Sequence, residues 1–140
     1  MSEETTTGSC LCGKVAYAFI GPVQVFQYCH CSRCRKFTGA AFAPNIIIEP
    51  QQLEWLRGEK HVGHYDLPEA KHFATAFCRL CGSSLPWLTQ SRKAVVIPAG
   101  TLDGDPGVRP QHNIFCADRA AWFDDVEGLI KYEALPVKGG

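Results

Sequence analysis

The sequence lacks the features that mark several large classes of protein. Its 14 basic and 14 acidic residues cancel to a formal net charge of zero, so it carries no electrostatic footprint for DNA, RNA or anionic lipid. No apolar run approaches the roughly 18 residues that a membrane-spanning helix needs. The polar, acidic start Met1–Gly8 has no basic and then apolar region, as a secretory signal would. We therefore expect a cytoplasmic protein whose partners are neither nucleic acids nor membranes.

The chain also has no internal repeat, no low-complexity segment and no helical stripe longer than three turns. Its 140 residues, 46% of them hydrophobic, are enough for one domain with a packed core. We predict a single zinc-binding domain over residues 8–136, with frayed tails at residues 1–7 and 137–140. The sequence leaves the oligomeric state open.

Short apolar segments separated by glycine and proline predict β-strands. In the first of them, Val15, Tyr17 and Phe19 alternate with smaller residues and share one face. The segments are Lys14–Ile20, Val23–Tyr28, Ala41–Glu49, Lys71–Phe77, Ala94–Ile97 and His112–Ala117. Many short strands with turns between them indicate a mainly β fold, either a sandwich or a partly open barrel of antiparallel strands.

Cysteine is the abundant special residue, with eight copies. In a reducing cytoplasm cysteines stay as thiols, which favours zinc binding over disulfides. Disulfide pairing, a redox Cys-x-x-Cys without metal, and iron–sulfur ligation remain as alternatives. The cysteines form three clusters and one singleton: Cys10 and Cys12; Cys29, Cys31 and Cys34; Cys78 and Cys81; and Cys116.

The first and third clusters each end in a glycine: Cys10, Cys12 and Gly13; Cys78, Cys81 and Gly82. A glycine with positive φ allows two thiolates on a tight turn to reach one metal ion, and two such turns complete a tetrahedron. We interpret these two clusters as one closed four-thiolate zinc site that contributes to folding.

The middle cluster supplies Cys29, Cys31 and Cys34 within six residues and has no obvious fourth ligand. Three protein ligands leave a position for water or a substrate thiolate, as in catalytic zinc sites. The competing interpretation joins these three residues to one distant cysteine, because the sequence alone does not fix which clusters share a metal. Three neighbouring cations, Arg33, Arg35 and Lys36, can offset excess negative charge or attract an anion.

A histidine, the single cysteine and the tryptophans are further candidates for the metal sites or for the core. On an extended segment, His30 points away from a metal that Cys29 and Cys31 face. The singleton Cys116 lies in an apolar run and is interpreted as a buried core thiol. The three tryptophans, including Trp122, are expected in the core or in pocket walls.

The cysteine motifs and their flanks resemble those of the glutathione-dependent formaldehyde-activating enzyme family, which also contains centromere protein V. The similar segments are Gly8–Val15, Cys29–Ala40, Phe77–Ser83 and Pro110–Phe123. Together they extend the resemblance over about Gly8 to Pro136. The resemblance implies a zinc-stabilised β fold of the Mss4-like type.

The resemblance also implies two zinc ions with different roles. The structural zinc is expected on Cys10, Cys12, Cys78 and Cys81, and the catalytic zinc on Cys29, Cys31 and Cys34. The implied activity is a carbon–sulfur lyase reaction that forms S-hydroxymethylglutathione from glutathione and formaldehyde. The implied partners are therefore glutathione, or a similar thiol, and a small aldehyde. The alternative function is a zinc-stabilised module that binds a thiol or a partner without turnover.

The closing segment departs from the family's pattern at one place. The family usually has histidine before the Ile-Phe pair, whereas this chain has Asn113 there and His112 one position earlier. On a strand, a shift of one position places a side chain on the opposite face.

Overall fold

The computed structural model describes residues 4–123 and 126–136. This part of the chain has one α-helix, α1, at Ser32–Thr38. Its strands are β1 Thr5–Ser9, β2 Ala16–Ile20, β3 Val25–Cys29, β4 Ala43–Ile48, β5 Leu53–Arg57, β6 Val62–Asp66, β7 Ala74–Cys78, β8 Ser84–Leu85, β9 Trp87–Leu88, β10 Val95–Pro98 and β11 His112–Ile114. Short 3-10 helices lie at Pro50–Gln52, Glu59–His61, Ala99–Thr101, Cys116–Asp118 and Val126–Gly128. None of the helices in these ranges is both long and apolar enough to traverse a bilayer.

The strands form three small sheets, with orders β1-β2-β5, β11-β3-β4-β10-β9 and β6-β7-β8. Every strand pair is antiparallel except β3 with β11, which run parallel. No sheet closes into a barrel within the described residues. The prediction of a mainly β fold with short strands is confirmed.

Two apolar clusters hold the sheets together. In one, Tyr17 and Phe19 of β2 pack with three isoleucines of the five-stranded sheet, Ile46, Ile48 and Ile97. These side chains are almost completely buried, as the alternation in the sequence predicts for β2. The other cluster surrounds two of the cysteines and contains Cys10, Val15, Val62, Ala74, Ala76, Cys78, Leu85, Trp87 and Val96. The four-cysteine site is therefore joined directly to the core.

The first strand begins earlier than the sequence analysis allowed. Residues 5–7 were assigned to a frayed tail, and this assignment is wrong, because Thr5–Ser9 pairs along its whole length with β2. Asp103 reinforces this pairing by accepting hydrogen bonds from the Thr7 hydroxyl at 3.1 Å and the Ser9 hydroxyl at 2.6 Å. The predicted tail residues 1–3 and 137–140 lie outside the described residues.

A tight turn after β5 braces the first cysteine pair. Gly58 has a φ of 74°, and a Cβ atom on it would lie 2.1 Å from the Lys14 carbonyl oxygen. Only glycine allows this approach, because both the φ value and the overlap with backbone exclude a side chain. Next to it, Arg57 Nε donates a 3.0 Å hydrogen bond to the Gly13 carbonyl. The turn therefore holds the segment that follows Cys12.

Candidate functional site

The first and third cysteine clusters meet in space. Cys10 and Cys12 follow β1, whereas Cys78 ends β7 and Cys81 lies in the turn after it. The four Sγ atoms all lie within 4.8 Å of one another. The Cys10–Cys12 Sγ distance is 3.6 Å and the Cys12–Cys78 Sγ distance is 3.9 Å. A tetrahedral zinc with Zn–S bonds of about 2.3 Å requires sulfurs about 3.8 Å apart, so the four thiols fit this metal.

Each pair sits on a turn that glycine makes possible. Gly13 has a φ of 78° and Gly82 a φ of 81°. Their amides donate to the carbonyls of Cys10 at 3.0 Å and Cys78 at 2.8 Å. The positive φ values that the sequence predicts for both glycines are confirmed.

Backbone amides also point at the sulfurs. The Val15 amide lies 3.3 Å from Cys10 Sγ, and the Leu80 amide lies 3.4 Å from Cys78 Sγ. Such N–H donors stabilise negative charge on sulfur. They suit a site in which four thiolates surround a divalent cation.

Ser83, a residue not expected at the site from the sequence, connects the two turns to each other. Its Oγ accepts a 2.9 Å hydrogen bond from the Leu11 amide and lies 3.2 Å from Cys81 Sγ. Hydrogen bonds from the Ser83 hydroxyl and backbone lower the pKa of Cys81 to about 5. Its position directly after the Cys-x-x-Cys-Gly motif is the sequence feature that could have indicated its role at the site.

The middle cluster forms a second group. Cys29 ends β3, Cys31 is the N-cap residue of α1, and Cys34 lies in the first turn of the helix. Their three Sγ atoms lie within 4.8 Å of one another. Across residues 4–123 and 126–136, no fourth ligand atom from cysteine, histidine, aspartate or glutamate joins them. The group has the donor set of an open three-thiolate metal site.

The three thiols influence one another's ionisation. The hydrogen bond with the Cys34 thiol lowers the pKa of Cys29 to about 6. The same contact, together with burial, raises the pKa of Cys34. The Cys31 Sγ atom accepts a 3.3 Å hydrogen bond from the Cys34 amide and so caps the helix. The arrangement favours one thiolate near neutral pH, which is the form that binds metal.

The three cysteines line a cavity of about 480 Å³, a size typical of small-molecule sites. Its charged lining residues are Arg33, Lys71 and Asp118. The other lining residues are Ser32, Asn45, His72, Phe73, Trp87, Val96 and Phe115. Of these three charged residues, only Arg33 was expected near the site from the sequence.

His30 lies between two of these cysteines and is 2% exposed. Its ring packs against Phe42 and Phe123, with centroid distances of 5.1 and 5.5 Å. Its Nε2 lies 2.9 Å from Oδ1 of Asn113, whereas the buried Nδ1 has no hydrogen-bond partner among the described residues. An Nε2–H that donates to Asn113 fixes the tautomer of the imidazole.

The position that departs from the family's pattern therefore has a defined role in the packing. Asn113 contacts the buried His30, while His112 Nε2 lies 2.9 Å from Gln27 Oε1 in an exposed setting. The two neighbours thus have separate partners, in line with their opposite faces on β11.

Replacing Asn113 with leucine should destabilise the domain by about 1–3 kcal/mol, because a buried Nε2–H would lose its acceptor. Unfolding in urea, followed by tryptophan fluorescence, measures the change. His112→Leu is the matched control on the same strand and should cost less than about 0.5 kcal/mol, since its contact with Gln27 is exposed to solvent. Equal losses of unfolding free energy in the two variants would show that the contact between Asn113 and His30 contributes no more to stability than an exposed contact does.

Two predicted core residues are exposed. Cys116 is an exposed free thiol, so its interpretation as a buried core thiol is wrong. The strand ends at Ile114, and the chain turns at Phe115, whose φ is 55°. Cys116 then begins a short 3-10 helix instead of continuing the strand. Trp122 is 69% exposed and is likewise not a core residue.

Comparisons with known proteins identify the family of the chain. A family model described as glutathione-dependent formaldehyde-activating enzyme matches residues 5–118. A crystal structure of a Rhodobacter sphaeroides protein, a structural genomics target, is similar in fold, with a TM-score of 0.56 and 24% identity over 74% of this chain and 97% of that one. No curated protein matches the chain. The family match includes all seven clustered cysteines, and the chain belongs to the glutathione-dependent formaldehyde-activating enzyme family.

Proposed function

We propose that this chain joins a thiol such as glutathione to an aldehyde at the open group formed by Cys29, Cys31 and Cys34. The observation that carries the proposal is the position of these three cysteines in the wall of a cavity large enough for a small peptide-like thiol. Zinc bound by the three thiols would supply a positive centre that favours the ionised form of a substrate thiol. A second zinc on Cys10, Cys12, Cys78 and Cys81 would be structural.

The charges around the cavity support glutathione as the thiol. At neutral pH glutathione carries two carboxylates and one ammonium group. The cavity offers the two cations Arg33 and Lys71 and the one carboxylate Asp118. Opposite charges that face each other position a ligand and exclude wrongly charged ones.

The reaction is an addition that needs no oxidant or reductant. The thiol loses its proton to water, its sulfur attacks the carbonyl carbon, and a carbon–sulfur bond forms. The electron pair of the broken carbonyl π bond passes to oxygen, which then takes a proton. His72 lines the cavity, with Nδ1 2.8 Å from Ser91 Oγ, and is the imidazole that can give this proton. The product with formaldehyde is S-hydroxymethylglutathione, and the reverse direction is a carbon–sulfur lyase reaction.

The cytoplasm is the compartment that we propose for this chemistry. All eight cysteines are free thiols. A reducing compartment keeps thiols in this state, and it is also where glutathione is reduced.

The proposal is tested by measuring the exchange between formaldehyde and S-hydroxymethylglutathione by NMR with the zinc-loaded chain. We expect an exchange rate that rises in proportion to protein concentration above the uncatalysed rate. Glutathione binding is measured in parallel by calorimetry. Binding without any protein-dependent rate would contradict the enzyme and favour the non-catalytic module, and absence of both would contradict glutathione as the ligand.

A further inference from the structure

A second cavity, of about 670 Å³, lies beside the one that contains the three cysteines. Both are lined by Ser32, Arg33 and Phe73. The other lining residues of the second cavity are Lys36, Phe37, Tyr65, Leu67, Glu69, Thr75, Phe77 and Gly82. We call it the aromatic cavity, because four of all its lining side chains carry a phenyl or phenol ring, namely Phe37, Tyr65, Phe73 and Phe77.

The local structure explains how these residues share one space. Arg33 and Phe37 are four positions apart on α1 and project from one side of the helix. Thr75 and Phe77 are two positions apart on β7 and therefore share a face of the β6–β7 pair. Tyr65 of β6 is opposite Thr75 in the strand register. The aromatic cavity thus lies between the helix that carries Cys34 and the hairpin that ends at Cys78.

The lining has the chemistry of a ligand site. Phe37, Phe73 and Phe77 are only half-buried, and Tyr65 is 53% exposed. Rings of this kind bind other rings in stacked or edge-on arrangements. The charged residues at the cavity are Arg33, Lys36 and Glu69, an excess of one positive charge in which Arg33 is shared with the first cavity. The expected ligand is therefore aromatic and negatively charged.

We propose that the aromatic cavity binds an aromatic group with a negative charge, and that this group is part of the carbonyl compound in the reaction. The assignment of this group to the carbonyl compound rests on the proposed function. Formaldehyde has no substituent that could occupy such a cavity. An aryl aldehyde with a carboxylate on its ring has a substituent of the right chemistry. The same addition then forms the carbon–sulfur bond at its carbonyl carbon, with the proton passing to oxygen as before.

Binding is tested without any reaction, by titrating benzoate into the ¹⁵N-labelled, zinc-loaded chain and following amide shifts by NMR. We expect the shifts to centre on α1 and the β6–β7 pair. Tyr65→Ser should weaken benzoate binding about fivefold through loss of a ring contact. Tyr132→Ser is the matched control, because Tyr132 is also 53% exposed and does not line the cavity. Equal affinity in both variants, or absence of benzoate binding, would overturn the proposal.

The charge is tested separately. Lys36→Gln should weaken benzoate binding about threefold, as for an exposed ion pair, and leave the binding of neutral benzyl alcohol the same. Equal weakening of both compounds would contradict the role of charge.

The link to the reaction is tested by comparing the condensation of glutathione with 4-carboxybenzaldehyde and with formaldehyde. Tyr65→Ser should lower the ratio of the two rates about fivefold, whereas Tyr132→Ser should not change it. An unchanged ratio in Tyr65→Ser would overturn the assignment of the cavity to the carbonyl compound. If neither aldehyde reacts, the proposed function fails, and with it this assignment, while the benzoate titration still decides whether the cavity binds an aryl anion.

Discussion

Cys78→Ser is expected to leave the domain unfolded at room temperature. Cys78 is completely buried, and its Sγ lies among the four sulfurs that fit a tetrahedral zinc. Serine is a poor zinc ligand at neutral pH, so the substitution removes most of the binding free energy of that metal. Structural zinc contributes about 10–16 kcal/mol in small domains, which matches or exceeds the whole stability of a typical fold.

Circular dichroism and the thermal transition of purified protein measure this effect, together with zinc content. Cys116→Ser is the matched control, because that thiol is exposed and does not belong to either group. The control should keep the wild-type transition temperature. A cooperative transition of Cys78→Ser within a few degrees of the control would rule out a structural metal at this site.

Cys31→Ser is expected to abolish condensation while the fold persists. Cys31 supplies one of three sulfurs in the open group and also caps α1 through its side chain. Serine is among the best N-cap residues, so the hydroxyl can take over the hydrogen bond from the Cys34 amide. The substitution therefore separates metal binding from helix capping.

We expect the protein-dependent rate to fall at least about a hundredfold, to the uncatalysed level, because a metal ligand is lost. Zinc should fall from two ions to one per chain, with only a small change in the thermal transition. Cys116→Ser again serves as the control for loss of a thiol. A Cys31→Ser protein that keeps both zinc ions and the full rate would place the reaction elsewhere.

The sequence was sufficient to predict the mainly β fold and the grouping of seven cysteines. Both predictions depend on local patterns, namely alternation along strands and the turn that glycine allows after a cysteine pair. The family resemblance then indicated which pairs share a metal. The structure brings the same sets together, Cys10 with Cys78 and Cys29 with Cys34.

The helix α1 could not be predicted in the same way. It has seven residues, only Cys34 in it is buried, and its cap is a cysteine thiol. A segment this short carries no periodic apolar stripe. Strand β1 was missed for a similar reason, since its sequence is polar and its pairing comes from contact with β2.

The cavity residues were missed because they depend on tertiary structure. Lys71 and Asp118 are far from Cys34 in the chain, and no sequence spacing links either of them to the cysteine clusters. Sequence patterns of this kind contain no information about which loop faces which cysteine. For Cys116 the error is that a burial was predicted that does not exist. The apolar run in the sequence includes Cys116, but the strand ends before it because the chain turns at Phe115.

The distance along the chain between the two halves of the four-cysteine site bears on how the protein is made. Cys12 and Cys78 are 66 positions apart in the chain. At a synthesis rate of about 5–20 residues per second, Cys78 is added about 3–13 s after Cys12. During that interval Cys29, Cys31 and Cys34 have already been added to the growing chain. Five thiols are thus present before the last pair of the four-cysteine group exists. A zinc ion proposed for the four-cysteine group therefore cannot find its full ligand set until Cys81 has been added to the chain.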